Sequence, residues 1–221
     1  YDPETVDNFE LGTKSEWLNG RLRLNASIFY MDFKDKQEEQ SVPISQGTGQ
    51  QTIVVNAGQA TITGLEVDFN WLATEVFSLN GNLGLLDAEY DELTDPITGT
   101  DLTYLKLRRA PDVTATIEPV LTFNVGNGVL QARAAWHYVD DIEYTFLNSP
   151  QSQAPAHSTV DASIVYTLNN LTFSLWGLNL TDDDSWTQGY DVIADVNNPG
   201  AWTYTAVRPP RAYGVNVSYR F

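Results

Sequence analysis

Cysteine is absent from the 221 residues, and methionine and histidine are rare, with one and two copies. The absence of cysteine excludes disulfide frameworks, thiolate metal sites and cysteine nucleophiles. Basic residues are also few, since 12 lysines and arginines face 29 acidic residues and the net charge is −17. Because binding to phosphates requires a basic surface, a nucleic-acid partner is not expected.

Long apolar runs are absent as well. No stretch approaches the roughly 18 consecutive apolar residues that indicate a transmembrane helix. The first residues, Tyr1-Asp2-Pro3-Glu4, are neither basic nor apolar and do not have the features of a signal peptide. Composition alone would suggest a soluble acidic protein. A membrane β-barrel can have the same composition, because only every second strand residue faces lipid.

Alternation between apolar and polar residues is the main pattern that is present. It predicts strands with one apolar and one polar face, and the sequence shows no comparably strong helical pattern. About nine segments follow it, near residues 4–17, 21–36, 53–71, 76–90, 109–123, 129–141, 157–168, 171–182 and 206–221. Most have about 12–16 residues, whereas strands of soluble proteins usually have about 5–6 and a tilted membrane strand needs about 9–11.

The connections between these strands alternate between short and long. The short ones lie near 18–20, 72–75, 124–128 and 169–170, and the long ones near 37–52, 91–108, 142–156 and 183–205. Eighteen of the 29 acidic residues border or lie in the long connections. Outer-membrane barrels combine tight turns on one rim with long loops on the other. We therefore predict an all-β, antiparallel transmembrane β-barrel fold.

Aromatic residues fall into two groups that fit the two interfaces of a membrane. Trp17, Trp71, Phe77, Phe123, Phe173 and Phe221 lie near short turns or the C-terminus, and Tyr30, Phe33, Tyr90, Trp136, Tyr138 and Tyr213 lie nearer the long connections. Aromatic girdles are expected at both interfaces of such a barrel. Ordinary packing between neighbouring strands is the alternative explanation.

Several stretches, in this order, resemble the C-terminal part of the barrel of TonB-dependent outer-membrane receptors. They are Pro3-Glu4 with Asn8-Phe9-Glu10-Leu11-Gly12-Thr13-Lys14, the strand Arg23 to Tyr30 followed by Asp32-Phe33-Lys34-Asp35, Asn56-Ala57-Gly58 with Ala60, Gly64 and Glu66, Arg109-Ala110-Pro111, Asn179-Leu180-Thr181-Asp182, and Pro210 to Phe221. The resemblance extends over nearly the whole chain. It implies that residues 1–221 form about nine C-terminal strands of a barrel of about 22 strands.

Strand parity supports this prediction of a fragment. Nine strands cannot close a single-chain bacterial barrel, which has an even number of strands, and two outer strands would leave unpaired edges in lipid. We expect the plug domain, the N-terminal strands and the segment that engages TonB to lie outside this chain. The resemblance also implies that the last strand, with Tyr213, Val215, Val217, Tyr219 and Phe221 on one face, is the signal read by the barrel-assembly machinery.

The resemblance implies a function in energy-coupled uptake across the bacterial outer membrane. A scarce solute, most often a ferric siderophore in this family, would bind on the extracellular side, and TonB would pull on the plug to open a path. Cobalamin, haem and oligosaccharides remain alternatives. Glu66, Asp68, Arg133 and Asp161 would face the interior and contact the plug, or simply form a solvated wall. The expected partners are membrane lipid, the plug, the TonB complex and the solute.

Aromatic and basic residues of the long connections are the candidate ligand-binding residues. Trp186, Tyr190, Trp202 and Tyr204 could enclose a large ligand, since binding residues concentrate in loops, or pack on neighbouring loops. Arg108, Arg109 and Arg208 could attract an anionic ferric siderophore, although pairing with the many nearby acids as surface salt bridges is the simpler interpretation.

Catalytic chemistry has little support in this sequence. His137 and His157 belong to no nucleophile elbow or triad pattern, so no catalytic residue is predicted. No metal site and no cofactor are predicted, and Asp182-Asp183-Asp184 lacks the spacing of a calcium loop. Two other hypotheses remain: a self-contained passive pore or structural barrel, and a soluble β-sandwich that binds a partner.

Overall fold

The computed structural model describes residues 1–43, 50–95, 98–195 and 198–221. Among these residues, no helix is long and apolar enough to cross a membrane. The strands are β1 (Thr5–Trp17), β2 (Leu22–Pro43), β3 (Gln50–Leu72), β4 (Phe77–Leu93), β5 (Val113–Val125), β6 (Gly128–Val139), β7 (Ile142–Glu143), β8 (Gln153–Ala154), β9 (His157–Leu168), β10 (Leu171–Leu178), β11 (Trp186–Asp195), β12 (Asn198–Val207) and β13 (Ala212–Tyr219).

Nine of these strands form one antiparallel sheet. Its order is β1-β2-β3-β4-β5-β6-β9-β10-β13, so each strand pairs with the next main strand along the chain. The remaining strands form two separate hairpins, β7-β8 and β11-β12. The prediction of an all-β antiparallel fold with nine principal strands is therefore confirmed.

One face of the main sheet is apolar and uncovered. Its register places Ala132 of β6 opposite Ile164, Ile164 opposite Leu175, and Leu175 opposite Val215 of β13. Ile164, Leu175 and Val215 expose 48%, 51% and 69% of their surface, respectively. A β-sandwich would bury such a row against a second sheet. The soluble sandwich hypothesis is therefore wrong.

The opposite face of the sheet is polar and carries side-chain bonds between strands. Asn25 Nδ2 donates to Asp68 Oδ2 at 3.0 Å. Asn80 Nδ2 donates to Glu118 Oε1 at 3.3 Å, and Arg133 Nη2 lies 3.4 Å from Glu118 Oε2. Successive strand residues point to opposite sides of a sheet. The alternation in the sequence therefore gives the sheet one apolar and one polar face.

The connections alternate in length as predicted. The prediction that residues 37–52 form a long loop, however, is wrong over most of that range. β2 continues to Pro43 and β3 begins at Gln50, and the two remain paired from Gln37 opposite Asn56 to Pro43 opposite Gln50. Residues 44–49 lie outside the described residues. A register shift at Lys36 marks the change from the main sheet to this extended hairpin. Gln37 to Gln40 contains no apolar residue, and alternation therefore could not predict a strand there.

The last predicted strand, 206–221, is also corrected. Val207 belongs to β12, and the strand of the main sheet begins only at Ala212. Pro209 and Pro210 lie between them and have no N–H group to donate to a ladder, so the strand pairing is interrupted there. Residues 179–182, predicted as part of a strand, lie beyond the end of β10 at Leu178.

A small apolar core lies at the end of the sheet where the long connections begin. It contains Ala60, Tyr90, Leu93, Leu102, Leu105, Leu107 and Phe146, with Phe33 packed against it. The connection from β4 to β5 supplies Leu102, Leu105 and Leu107, so this connection folds over the end of the sheet. The prediction that Tyr90 belongs to an interfacial girdle is wrong, because its side chain is buried in this core, whereas Phe33 is only partly buried and packs against it.

Candidate ligand-binding site

Four segments converge at the end of the sheet that carries the long connections. β11 contacts β2 and β8, so the β11-β12 hairpin lies against parts of the chain far from it in sequence. A cavity of about 170 Å³ lies at this junction. Its lining consists of Glu39, Thr52, Arg108, Arg109, Tyr144, Thr145, Phe146, Leu147, Gly189, Tyr190 and Asp191. Three of these, Arg108, Arg109 and Tyr190, are candidates from the sequence.

Gly189 is the point at which β11 approaches the third long connection most closely. A Cβ atom at this position would lie 2.9 Å from the Cβ atoms of both Ser152 and Tyr144. Real Cβ atoms essentially never approach another heavy atom this closely. Glycine therefore allows the hairpin to close one side of the cavity.

A buried carboxylate fixes the position of Arg108. Glu38 lies in the part of β2 beyond the register shift at Lys36 and is 1% exposed. Its Oε2 accepts a hydrogen bond of 2.7 Å from Arg108 Nη2, its Oε1 accepts one of 2.8 Å from Tyr90, and Lys36 Nζ also donates to Oε1. Buried charge is tolerated only when it is paired and hydrogen-bonded, and Glu38 meets both conditions. Arg108 thus pairs with an acid as expected, but that acid is buried and does not lie at the surface. Contact of Arg108 with a ligand stays a prediction.

Three charged residues that line the cavity, Glu39, Arg109 and Asp191, form no ion pair among the described residues. Among the described residues, no carboxylate forms an ion pair with the exposed Arg109 side chain, whose backbone N–H donates to Glu143 O at 2.9 Å. Asp191 is 8% exposed; its Oδ1 accepts from Thr203 Oγ1 at 2.8 Å, but its Oδ2 has no partner in the described structure. An unpaired buried carboxylate oxygen is costly and marks a position where a donor is missing.

Tyrosines complete the wall of the cavity. The Tyr144 hydroxyl donates to Trp186 O at 3.0 Å, and this bond ties the third long connection to the start of β11. Burial raises the pKa of the Tyr144 phenol, against the opposing effects of Arg208 and Arg109, so it remains a donor at neutral pH. Tyr190 and Tyr204 are opposite each other in the β11-β12 hairpin and are both exposed.

The remaining aromatic candidates from the sequence have different positions. Trp186 is partly buried and begins β11, where it pairs with Val207. The backbone of Trp202 pairs with Ile193 in the hairpin, and its side chain lies outside the described residues. The structure therefore brings Tyr190 and Arg108 to the cavity but does not bring all four aromatic residues together there.

Arg208 lies in a second cavity, of about 350 Å³, at the base of the hairpin. Its Nη2 donates to His157 Nε2 at 2.9 Å, and its Nε is 3.6 Å from Asp183 Oδ1. Since arginine has only donors, His157 Nε2 must be the acceptor, and its Nδ1 carries the proton shared with Pro155 O at 3.1 Å. These contacts give Arg208 a local structural role, and ligand binding by it stays a prediction.

Asn179 joins the end of β10 to the base of the hairpin. Its buried side chain donates from Nδ2 to Asp183 O at 2.8 Å and to Pro209 O at 3.0 Å, and its Oδ1 accepts from the Asp183 N–H at 2.9 Å. Its own N–H donates to Asp161 Oδ1 at 2.8 Å. These bonds give the Asn179 to Asp182 motif a physical reason, because one amide holds the ends of the last long connection together.

The proposed assembly residues occupy the edge of the main sheet. β13 pairs with β10 on one side only, with Val217 opposite Phe173 and Tyr219 opposite Leu171. Tyr213, Val215, Val217, Tyr219 and Phe221 are all strongly exposed. Their alternation as one apolar row matches the sequence, but their reading by an assembly machinery stays a prediction.

Sequence reasoning missed several residues of the site. Glu38 and Asp191 were grouped with the acids of the long-loop rim, but both are buried. Tyr144 and Gly189 were not selected at all. The sequence did offer one signal for Glu38, since Lys36 lies two residues before it and could pair with its carboxylate. Nothing in the sequence showed that Tyr90 and Arg108 would also reach Glu38.

These features define a class of protein. A single antiparallel sheet with an uncovered apolar face, a polar opposite face and long connections gathered over a polar cavity is the architecture of a membrane β-barrel segment. The chain belongs to the family of TonB-dependent receptor-like β-barrels, whose model matches residues 1–180. This family consists of outer-membrane transport receptors of Gram-negative bacteria and not of enzymes.

Individual relatives support the same family. The chain is 29% identical over 196 residues to the metal-pseudopaline receptor CntO of Pseudomonas aeruginosa, covering 87% of this chain and 26% of that protein. It is 25% identical over 193 residues to the probable TonB-dependent siderophore receptor PiuA of Acinetobacter baumannii, covering 86% and 24%. The crystal structure of the ferric yersiniabactin uptake receptor FyuA from Yersinia pestis superposes with a TM-score of 0.75 at 23% identity, covering 99% and 30%. The chain thus spans about a quarter of the length of the curated relatives.

Proposed function

We propose that this chain is the C-terminal barrel portion of a receptor for energy-coupled uptake of a metal chelate, most specifically a ferric siderophore. Family membership supports uptake through the outer membrane. The names of two relatives, a metal-pseudopaline receptor and a siderophore receptor, support a chelated metal as the solute. The complete receptor would supply the plug and the remaining strands of a barrel of about 22 strands.

The convergence of the long connections over one cavity is the observation that carries this proposal. The second, third and last connections and the extended end of β2-β3 all contribute lining residues. A wall strand has no need of such a junction, whereas a receptor requires loops that gather around its ligand. Arg109 offers an unpaired guanidinium there, which would attract the negative charge common among metal chelates.

The other parts of the chain have supporting roles in this proposal. The apolar face would contact lipid, and Glu66, Asp68, Arg133 and Asp161 on the polar face would contact the plug. The exposed row of β13 would be read by the barrel-assembly machinery. TonB would act on the plug of the complete receptor, and no part of this chain is proposed to bind TonB itself.

Uptake of radioactive iron in living cells tests the function. Cells that lack the gene for the complete receptor are compared with complemented cells, with ⁵⁵Fe bound to a catecholate, a hydroxamate or a carboxylate siderophore. Each comparison is repeated in cells without TonB. We expect the receptor to restore uptake of at least one chelate only when TonB is present.

Two outcomes would contradict the proposal. Uptake that persists without TonB would favour the passive-pore hypothesis, and it would be accompanied by conductance of the purified barrel in lipid bilayers. Failure to take up any ferric chelate, together with TonB-dependent uptake of cobalamin, haem or an oligosaccharide, would retain the family mechanism and replace the solute.

A further inference from the structure

The cavity at the loop junction is smaller than the pockets that usually hold a complete small-molecule ligand. Its volume of about 170 Å³ corresponds to roughly five or six water molecules at about 30 Å³ each. Pockets for complete small-molecule ligands usually measure about 300–1,000 Å³. The cavity can therefore accept one end of a ligand, with the remainder lying outside toward the exposed Tyr190.

The buried Asp191 carboxylate determines which chemical group of a ligand can bind at its side of the cavity. Its Oδ2 is unpartnered in the described structure, while its Oδ1 is fixed by Thr203 Oγ1 at 2.8 Å. A carboxylate only accepts hydrogen bonds, so its complement is a donor, and a charged donor forms the strongest bond. A bare divalent cation fits less well, because Arg108 and Arg109 line the same cavity. Among the described residues, no group of three or more His, Asp or Glu side chains could hold a metal ion.

The Arg109 guanidinium determines the second group of the ligand that the cavity can bind. Its side chain is exposed and, among the described residues, forms no ion pair, whereas the neighbouring Arg108 is already bonded to Glu38. Guanidinium groups bind carboxylates through two parallel N–H···O bonds. Arg109 and Asp191 line the same cavity.

We propose that this cavity is a subsite for an aminocarboxylate end of the ligand, with the ammonium group on Asp191 Oδ2 and the carboxylate on Arg109. The proposal rests on the proposed function, which it deepens by naming the chemical group recognised. An ammonium and a carboxylate joined through one carbon comprise five heavy atoms, which fit within the cavity and complement the carboxylate of Asp191 and the guanidinium of Arg109. The metal-binding part of the chelate would remain outside the cavity.

A fragment-binding measurement on the complete receptor in detergent tests this subsite without knowledge of the whole ligand. The probe is L-lysine, and its binding is measured by saturation-transfer NMR and titration. N-acetyl-lysine with a blocked α-amino group and lysine amide with a blocked carboxylate are the matched probes. We expect lysine to bind and each blocked probe to bind about tenfold more weakly or worse, because each lacks one charge-assisted bond.

Two variants connect the binding to the named residues. Asp191→Asn should weaken lysine binding about tenfold and remove the preference for a free α-amino group, and Arg109→Gln should remove the preference for a free carboxylate. Asp182→Asn and Arg211→Gln are the matched controls, since this exposed ion pair of 3.2 Å lies outside the cavity. The controls should bind lysine as the unchanged receptor does. Heat-modifiable migration on gels verifies that every variant is folded.

Several results would overturn the proposal. They are equal binding of lysine and its blocked forms, unchanged binding in both Asp191→Asn and Arg109→Gln, or no saturation transfer to lysine at all. The proposed function can fail independently of the subsite. If the receptor binds lysine as expected but takes up no ferric chelate, the subsite is retained and a ferric siderophore is rejected as the solute. Titration with Ca²⁺ tests the remaining alternative. If the receptor binds Ca²⁺ and the Asp191→Asn variant does not, the cavity is a cation site and the aminocarboxylate proposal is rejected.

Discussion

The wall of the sheet and the junction of the long connections are built on different physical principles. The wall is regular: most residues of the main sheet have a register partner, and its two faces differ in polarity through alternation alone. The junction is irregular and depends on a few buried polar groups, chiefly Glu38, Asn179 and Asp191. A wall of repeated small contributions tolerates most single changes, whereas a junction held by few groups does not.

Glu38→Ala should produce the largest effect and should be confined to the junction. It removes the acceptor of Tyr90, Arg108 and Lys36 together, and breaking a buried ion pair costs about 3–5 kcal/mol. Hydrogen exchange of the complete receptor should become faster in residues 98–110. Glu92→Ala, at an exposed carboxylate bonded to Gln59 at 3.3 Å, should leave exchange unchanged. Equal exchange in both variants would contradict the role of Glu38.

Leu175→Lys tests the apolar face of the wall. A lysine on the lipid-facing side costs about 2–4 kcal/mol near the centre of the bilayer. Ser174→Lys places the same charge one residue earlier, on the polar face, and should cost much less. Denaturant unfolding of the receptor in lipid vesicles measures both values. Similar losses for the two variants would contradict the assignment of the faces.

Gly189→Ala tests the close contact between β11 and the third long connection. The added Cβ would lie 2.9 Å from Ser152 and Tyr144 side-chain atoms, and overpacking of this kind costs about 1–3 kcal/mol. We expect faster hydrogen exchange in β11 and β8. Gly12→Ala is the control in the wall, because its Cβ would meet no atom closer than 3.5 Å. A stable hairpin in Gly189→Ala would show that the approach is looser than described.

Glu143→Gln should give the smallest of these effects and should depend on pH. Burial raises the pKa of Glu143, and its Oε2 has no partner in the described structure. The folded state therefore holds the proton more strongly, so local stability falls as the pH rises from the ordinary value near 4.5 through the raised pKa. Glutamine should remove this dependence of local stability on pH. At pH values above the raised pKa of Glu143, residues 142–154 of the variant should therefore exchange hydrogen more slowly than those of the unchanged receptor. Exchange rates at pH 4.5 and 7.5 measure it, and an unchanged slope would exclude Glu143 as its source.

The wall could be predicted from the sequence, while the junction could not. Alternation at residues such as Leu22, Leu24 and Ile28 is a local property, so the nine strands and their polar and apolar faces follow from neighbours in the chain. The extension of β2 to Pro43 was missed because a strand outside the membrane needs no apolar face. The β7-β8 and β11-β12 hairpins were missed for the same reason.

Burial of charge depends on contacts that are distant in sequence. Glu38 is separated from Tyr90 by 52 positions and from Arg108 by 70. The sequence therefore placed Glu38 and Asp191 among the acids that border the long connections, and Tyr90 in an aromatic girdle. Arg108 and Tyr190, which were predicted to bind the ligand, both line the cavity, and their contact with a ligand is still a prediction.

A matched pair of arginines tests the central claim that the junction binds the ligand and the wall does not. The measurement is the dissociation constant of the complete receptor for a ferric siderophore whose TonB-dependent uptake it supports, in Arg109→Gln and in Arg133→Gln. Arg133 is half-exposed on the polar face of β6, where it pairs with Glu118 at 3.4 Å. Loss of a charge-assisted bond should weaken binding about tenfold in Arg109→Gln, and Arg133→Gln should bind as the unchanged receptor does. Weakened binding in Arg133→Gln with unchanged binding in Arg109→Gln would contradict the account.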